Sequence, residues 1–413
     1  MTVGTQDPTG RRSAAALYTL LSVMFINMLG FGVIVPLLPF YGKSFHAPAW
    51  QIALVFSAYS FGSFFGEPFW GRLSDRIGRK PILISTTAAN CLCYGALAFA
   101  PNIYVAILVR ILGGLAAGNG SVVQGYIADV TPPDLRAGRM ARLGAAYNIG
   151  FIVGPFIGGV LARPSAGHIG FQIPLLVSAA LAACSSVGIA LVVRESRAPR
   201  VVKGPQPSRW RMFGFAFRHP VIGRLMLLTF VVGFAFTGIE STFGLWAQAR
   251  FGWQPRDIGI CFGITGVVSS VCQFILTGAL SRRFGEATML AVGMVGTVIC
   301  TALQPLSDGR VLTITLMSLM ALSSSVAFPN SGALMSRSID ENHQGQIMGL
   351  NNAMGALARV SGPLCAGLVF SGININGPFV MGALIVAPAI FLALSAGRAA
   401  GRQEIAPLAV AAE

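Results

Sequence analysis

The chain has 413 residues, with charged side chains at only 10% of positions, and a mean hydropathy of +0.70. An ordinary soluble domain carries about 25% charged residues, so the balance excludes a soluble protein, or one held by a single anchor, and implies a chain that crosses a membrane many times. The formal charge of +15 would point to nucleic acid in a soluble protein. Here the basic residues sit in short stretches between apolar runs, where membrane topology accounts for them, and no nucleic-acid partner is expected.

About 20 apolar residues carry a helix across a bilayer, and only helices or closed barrels satisfy their backbone polar groups in lipid. Met1 to Ser13 is polar, with Arg11 and Arg12. The apolar run behind it is long and lacks a small-residue cleavage site, so it reads as a retained first helix rather than a signal peptide. Twelve runs follow in order: roughly 15–41, 52–71, 81–100, 103–127, 140–162, 172–193, 222–247, 257–280, 287–306, 311–335, 346–370 and 374–396. Cys91, Cys93, Cys184, Cys261, Cys272, Cys300 and Cys365 all fall inside them without metal-type spacing. They read as small buried hydrophobes, and no metal site is expected.

With the N-terminus placed in the cytoplasm, most of the 29 Lys and Arg fall on that side, as the positive-inside bias requires. The prediction is a multi-pass protein of the inner (plasma) membrane with both termini cytoplasmic. The longest break, Arg194 to about Pro220, is polar and basic, with Pro199, Pro205 and Pro207, and it falls midway along the series of runs. The expected organisation is an N-terminal six-helix lobe at 1–195, a cytoplasmic linker at 196–220 and a C-terminal six-helix lobe at 221–413.

Gly71-Arg72-Leu73-Ser74-Asp75-Arg76-Ile77-Gly78-Arg79-Lys80-Pro81 joins the second and third runs. A degraded copy, Gly278-Ala279-Leu280-Ser281-Arg282-Arg283-Phe284-Gly285, joins the eighth and ninth. Gly154-Pro155 is echoed by Gly362-Pro363, and Gly138-Arg139-Met140 by Gly345-Gln346-Ile347. All three echoes share an offset of about 207 positions, which marks an internal duplication, an architecture on which transporters are built.

Further stretches stand out: Ile107 to Gly120 with Arg110 and Gly114, Gly150 to Gly159, Gly30 to Pro39, Tyr126 to Thr131, and Gly345 to Pro363. With the 71–81 loop, they resemble the major facilitator superfamily over nearly the whole chain. Within it they resemble the twelve-helix drug:proton antiporters and their tetracycline-exporter branch. The resemblance implies an all-α membrane protein with the major facilitator fold: twelve transmembrane helices in two pseudo-symmetric lobes. The first, fourth, seventh and tenth helices would line the cavity, and the second, fifth, eighth and eleventh would form seams between lobes. It also implies that the fourth-helix arginine, Arg110, takes part in proton movement. Tetracycline-type exporters carry a first-helix aspartate; this chain has Asn27, which hydrogen-bonds but does not titrate. The first-helix proton site is therefore not carried over.

Four charges lie inside runs: Glu67, Arg110, Glu240 and Arg359. Each costs about 2.5–3.5 kcal/mol at a helix centre on insertion scales, which favours a functional reason for its presence. Phe236 and Phe243 share a helical face with Glu240, and a carboxyl in such surroundings can load and release a proton. An interhelical ion pair is the structural alternative. Proton coupling is expected from Glu240, Arg110 and Glu67. Substrate contacts, placed by the family's helix roles, are expected from Asn27, Phe31, Gln124, Glu240, Phe243, Trp246, Phe328 and Asn330. Gating is expected from Gly71, Asp75, Arg76, Gly78, Arg79, Asp129, Gly154, Pro155 and Arg359. In one reading of the loop, Asp75 faces the N-terminus of the eleventh helix, as the resemblance implies, and latches the cytoplasmic side. In the other, its arginines only anchor topology. Asp129 is expected to pair with Arg76 or Arg79, or to stand as a helix-end charge. Gly154 and Pro155 allow close packing, rocking of a seam, or both.

No complete Walker-type Gly-x-x-x-x-Gly-Lys-Ser/Thr sequence with a nucleotide domain and no nucleophilic constellation is present, so neither an enzyme nor a cofactor is expected. The expected function is proton-coupled export of a small amphiphilic compound or antibiotic, tetracycline-like or multidrug, by a monomer working through alternating access. The alternatives are a metabolite or sugar exporter or symporter on the same fold, and a non-transporting membrane sensor.

Overall fold

The computed structural model describes residues 8–196, 214, 216–217, 219–339 and 341–403, and every regular element among them is helical. Residues 197–213 of the expected linker, with Arg197, Arg200, Lys203, Arg209 and Arg211, lie outside the described residues, as do the first seven and last ten residues of the chain.

The first half holds α1 (Pro8–Ile34), a short α2 (Leu38–Ser44), α3 (Ala49–Ile77), α4 (Arg79–Ala98), α5 (Ile103–Ala117), α6 (Gly120–Asp129), α7 (Pro133–Leu161) and α8 (Gln172–Val192). The second half holds α9 (Ile222–Phe251), α10 (Pro255–Cys272), α11 (Gly278–Phe284), α12 (Glu286–Leu303), α13 (Arg310–Arg337), α14 (Glu341–Gly372) and α15 (Gly377–Gln403). Among the described residues, eleven helical stretches are long and apolar enough to cross a membrane. The second expected span, α3, is 29 residues long but falls outside those eleven, because Gln51, Glu67, Arg72 and Asp75 lower its hydropathy.

Two expected spans are interrupted helices. The fourth breaks at Gly118–Asn119 between α5 and α6. Gly118 packs against the Gly66–Glu67 peptide of α3, and the Asn119 side chain turns inward. The eighth passes through a π-helical turn at Gln273–Thr277 between α10 and α11, a local widening common where a helix serves a site.

The chain divides into two compact units, Met1–Lys203 with Trp253–Gly263, and Gly204–Gly252 with Ile264–Glu413. In the first, α1 packs on α7 and α8, α3 on α5, and α4 on α8. In the second, α9 packs on α14 and α15, and α12 on α13 and α15. The first span thus pairs with the fifth and sixth as the seventh pairs with the eleventh and twelfth, which is the duplication expressed in packing.

Small residues make the α1–α7 pairing close, as lipid-embedded helices require when no hydrophobic force drives them together. Gly150, Gly154 and Gly158, one turn apart on α7, meet the carbonyls of Phe25, Leu29 and Val33, one turn apart on α1. A Cβ on Gly154 would stand 2.6 Å from the Leu29 oxygen. The Pro155 ring rests on Gly32, and Gly159 lies against Pro255 and Gly259 of the same unit. Many exposed side chains along the spans are large and apolar, including Leu191 at 80% and Phe391 at 72% exposure, a surface that suits lipid rather than water.

Candidate functional site

The polar interior of the first unit is built around Arg110, which lies on α5 at 3% exposure. Its guanidinium sits over the Tyr59 ring at 4.3 Å and near the Phe31 ring at 6.0 Å, and those two rings are 5.2 Å apart. Its Nε donates to the Val55 carbonyl at 3.4 Å. No ion pair between Arg110 and a carboxylate is present among the described residues. A guanidinium retained in such a setting relies on ring faces and carbonyls to replace its hydration.

Beside it, Asn27 Nδ2 donates to Asn119 Oδ1 at 3.2 Å, and Asn119 Nδ2 donates to Thr86 Oγ1 at 3.1 Å. This chain crosses from α1 through the break in the fourth span to α4, and it explains the break: the non-helical turn swings Asn119, 1% exposed, into the lobe. Next to Arg110, Tyr59, Asn90, Cys93, Tyr94, Val109 and Gly113 enclose a cavity with room for about one water molecule. Asn90 Oδ1 and Tyr94 Oη are buried without a hydrogen-bond partner, and the Tyr94 hydroxyl rests on Gly30 of α1. Of the expected residues, the structure brings Asn27, Phe31 and Arg110 to this region. Thr86, Asn90, Tyr94 and Asn119 escape a reading by composition, because none carries a charge that would single it out from the other polar residues of the runs.

Glu67 and Gln124 are exposed on α3 and α6. Glu67 stands about two helical turns along α3 from Tyr59, and its carbonyl accepts from Ser121 Oγ at 3.2 Å.

In the second unit, Glu240 is half-buried on α9, with Oε1 enclosed and without a hydrogen-bond partner. Arg359 of α14 is the charged group that acts on it. The two helices meet closely here: Thr237 Oγ1 donates to the Ala358 carbonyl at 3.3 Å, and Gly238 packs on Gly362. The Arg359 guanidinium lies over Gly355 and near Thr229. Phe243 and Trp246 are fully buried. The Trp246 indole packs edge-to-face with Phe379 at 5.0 Å and Phe251 at 5.5 Å, and its N–H donates to Asn376 Oδ1 at 2.8 Å. Both rings are therefore enclosed by protein. On α13, Phe328 is 40% exposed and Asn330 is 2% exposed, with Asn330 Nδ2 bonded to the Val326 carbonyl at 2.7 Å.

The 71–81 segment folds as the end of α3, a turn at Gly78 and the start of α4. Gly78 has φ 102°, a conformation that favours glycine. Arg79, 7% exposed, is the hub: it pairs with Asp75 at 2.9 Å and Asp129 at 3.2 Å, and donates to Ser74 Oγ at 2.6 Å. Its guanidinium lies flat on Gly125 of α6. Of the two expected partners of Asp129, then, Arg79 makes the contact, while Arg76 is exposed. Gly71 lies near Ser121 Oγ.

The sequence matches the Major Facilitator Superfamily profile over residues 20–363 and 225–408. It is 26% identical to a class C tetracycline resistance protein of Escherichia coli over 87% of this chain and 91% of that one. It is 27% identical to multidrug resistance protein 2 of Bacillus subtilis (strain 168) over 89% and 91%. Among solved structures, a bacterial homologue of the human lysosomal transporter Spinster matches with a TM-score of 0.80 at 16% identity, covering 98% of this chain and 100% of that chain. The human organic anion transporter MFSD10 matches at 0.68 and 22% identity, covering 94% and 100%. These likenesses carry the fold, and the sequence match spans both halves of the duplication. The chain is a member of the Major Facilitator Superfamily.

Proposed function

We propose that this transporter exports a small amphiphilic compound, of the tetracycline-like or multidrug class, in exchange for protons. As a member of its superfamily it carries small molecules across a membrane and is not an enzyme. The export reading draws on relatives that are named for tetracycline and multidrug resistance. In this reading the chain works as a monomer in the inner membrane, with both termini cytoplasmic, and alternates access between lobes 1–195 and 221–413 joined by the 196–220 linker.

The observation that carries proton coupling is Glu240. Its carboxyl stands in a membrane span with one oxygen enclosed and unpartnered, within the electrostatic reach of Arg359. When charged, it is attracted by the arginine across the α9–α14 contact; when protonated, it loses that attraction and can donate from its O–H. A group with two such partnerships biases a two-state carrier as it gains and loses a proton. Asn27 cannot titrate, which leaves this carboxyl as the acid that cycles. Arg110, with Phe31 and Tyr59, supplies a fixed positive centre in the other lobe, and Asn27 a neutral polar contact. Glu67 is kept as a second acid of the pathway. Gln124, Phe328 and Asn330 are kept as substrate contacts, while Phe243 and Trp246 shape the span that carries Glu240. Gly71, Asp75, Arg76, Gly78, Arg79, Asp129, Gly154, Pro155 and Arg359 are assigned to gating.

The test is uptake into everted vesicles across a panel of tetracycline, ethidium and a quinolone, with and without an imposed pH gradient. Gradient-driven uptake of at least one compound is expected, with proton release from the vesicle interior. Glu240→Gln should keep the folded yield and lose at least tenfold in gradient-driven uptake. Uptake by the glutamine variant at the wild-type rate would remove Glu240 from the coupling.

A further inference from the structure

The helix that opens just after Gly78 has no capping side chain of its own. Gly78 occupies the N-cap position of α4 and offers none, and the first N–H groups of any helix have no intrahelical partner. They are satisfied from far along the chain. Glu195, just beyond the end of α8, accepts from the backbone N–H of Arg79 at 2.8 Å through Oε1 and from that of Lys80 at 3.0 Å through Oε2. Carboxylates are favoured at helix N-termini by both hydrogen bonding and the helix dipole.

Three further ties hold the same segment. Lys80 Nζ donates to the Ala190 carbonyl at 2.8 Å, and Tyr126 Oη of α6 donates to the Arg194 carbonyl at 2.8 Å. The Glu195 carboxylate also covers Gly78, so that any Cβ there would collide with it. Arg79, whose N–H Glu195 holds, carries Asp75 and Asp129 on its side chain. One residue thus joins four pieces: the end of α3, the start of α4, the end of α6 and the chain leaving α8 toward the linker. A local Ser or Asp at the N-cap would satisfy the helix equally well. A cap supplied from more than a hundred residues away instead makes the helix start depend on where the root of the linker sits.

We propose that Glu195 is a positioning residue of the transport cycle. Its carboxylate pins the root of the interlobe linker to the 71–81 turn, so that turn, Arg79–Asp129 pair and linker root move as one body. The proposal rests on the chain being a transporter, but not on which compound it moves.

The test uses the full-length protein in nanodiscs, with hydrogen exchange read on peptides that resolve the Arg79 and Lys80 amides. Glu195→Ala should speed exchange at these two amides at least tenfold while amides in the middle of α4 stay unchanged. Glu195→Gln keeps the length and one acceptor oxygen and should fall between. In proteoliposomes, tetracycline and ethidium serve as probes. Glu195→Ala should lower the maximal rate at least fivefold with KM within twofold, and Glu195→Gln should recover part of it. Wild-type exchange at both amides in Glu195→Ala would show that the carboxylate does not hold them. Faster exchange with a wild-type maximal rate would reduce Glu195 to a helix cap; either result overturns the proposal. If the alanine variant does not fold, the glutamine variant alone decides on the same two readouts. If the wild type moves neither probe, the export reading is what fails. Exchange across the 71–81 and 120–130 peptides then decides the proposal: they should open together in the wild type and separately in Glu195→Ala, and unchanged joint opening in the variant would refute it.

Discussion

The two copies of the helix-to-helix turn, one at Gly78 and one at Gly285, share a backbone and differ in charge. Gly78 has φ 102° and ψ 160°, and Gly285 has φ 81° and ψ 151°. In each, the glycine N–H bonds back to a serine carbonyl, Ser74 at 3.1 Å and Ser281 at 2.9 Å. In each, the next residue opens a helix and pairs with the end of the span that follows. The signs are reversed, however: Arg79 pairs with Asp129 in the first half, and Glu286 pairs with Arg337 at 3.0 Å in the second. Burial differs as well. The Arg79 and Asp129 side chains are 8% and 22% exposed, whereas the Arg337 side chain is 70% exposed. Duplication has kept what the turn requires sterically, a glycine at positive φ, and let the charges diverge once the two turns took different work. The first is the enclosed hub to which the linker root is tied, and the second is a pair between a largely buried Glu286, 15% exposed, and an arginine that reaches in from solvent.

The comparison is tested hardest at the glycines. Both backbone conformations disfavour any side chain, at a cost on the order of 1–3 kcal/mol. At Gly285 nothing else lies within 4 Å of a new Cβ, whereas at Gly78 the Glu195 carboxylate must leave as well. Displacing it from even one of its two charge-assisted bonds adds roughly 1.5–3 kcal/mol. Gly78→Ala should therefore destabilise by about 4 kcal/mol, near the sum of those contributions, and Gly285→Ala by about 2 kcal/mol. Denaturant titration in mixed micelles measures both. Equal losses would mean that the two turns are equivalent and that the carboxylate adds nothing.

Arg79→Ala comes next. Breaking a buried pair costs about 3–5 kcal/mol because the partner charge is stranded. Asp75 is 43% exposed and water screens it, so the lower end, about 3 kcal/mol, is expected. Adding Asp129→Asn to Arg79→Ala should recover part of that loss, since the stranded carboxylate is then neutral. No recovery in the double variant would place the cost in packing on Gly125 rather than in charge.

Much of this was legible in the sequence, for physical reasons that differ between features. Membrane spans declare themselves by length and hydropathy, and the duplicated turn by glycines that no other residue replaces without strain. Facing is harder to read. A helix surrounded by lipid on one side and other helices on the rest is apolar all round, so nothing in the periodicity announced that Asn119 turns inward at a helix break, or that Tyr94 and Asn90 meet at Arg110. Pairing is harder still. Arg76 and Arg79 stand three residues apart in the same basic loop, and only the turn at Gly78 decides that Arg79 is the one enclosed against Asp129. The electrostatic reach of Arg359 to Glu240 likewise depends on α14 packing on α9, which no local pattern announces. Glu195 lies at the last position of the expected N-terminal lobe with nothing in the sequence around it to single it out; its contact is with residues 116 and 115 positions earlier.

The smallest effect is expected at Arg337, and it is the one that separates shape from charge. Its pair with Glu286 satisfies the same geometric rule as Arg79 with Asp129, at a shorter distance. If distance alone set the energy, Arg337→Ala would cost as much as Arg79→Ala. Exposure argues otherwise: although Glu286 is 15% exposed, 70% of the arginine side chain is in solvent, water screens much of the pair, and the variant should lose about 1 kcal/mol. The loss should shrink further on raising salt from low to physiological strength, whereas the Arg79→Ala loss should not, because an enclosed pair is screened little. A salt-insensitive loss above about 2 kcal/mol at Arg337 would place it with the broken buried pairs. The second turn would then be a hub in its own right, and the one-sided assignment of the first would fail.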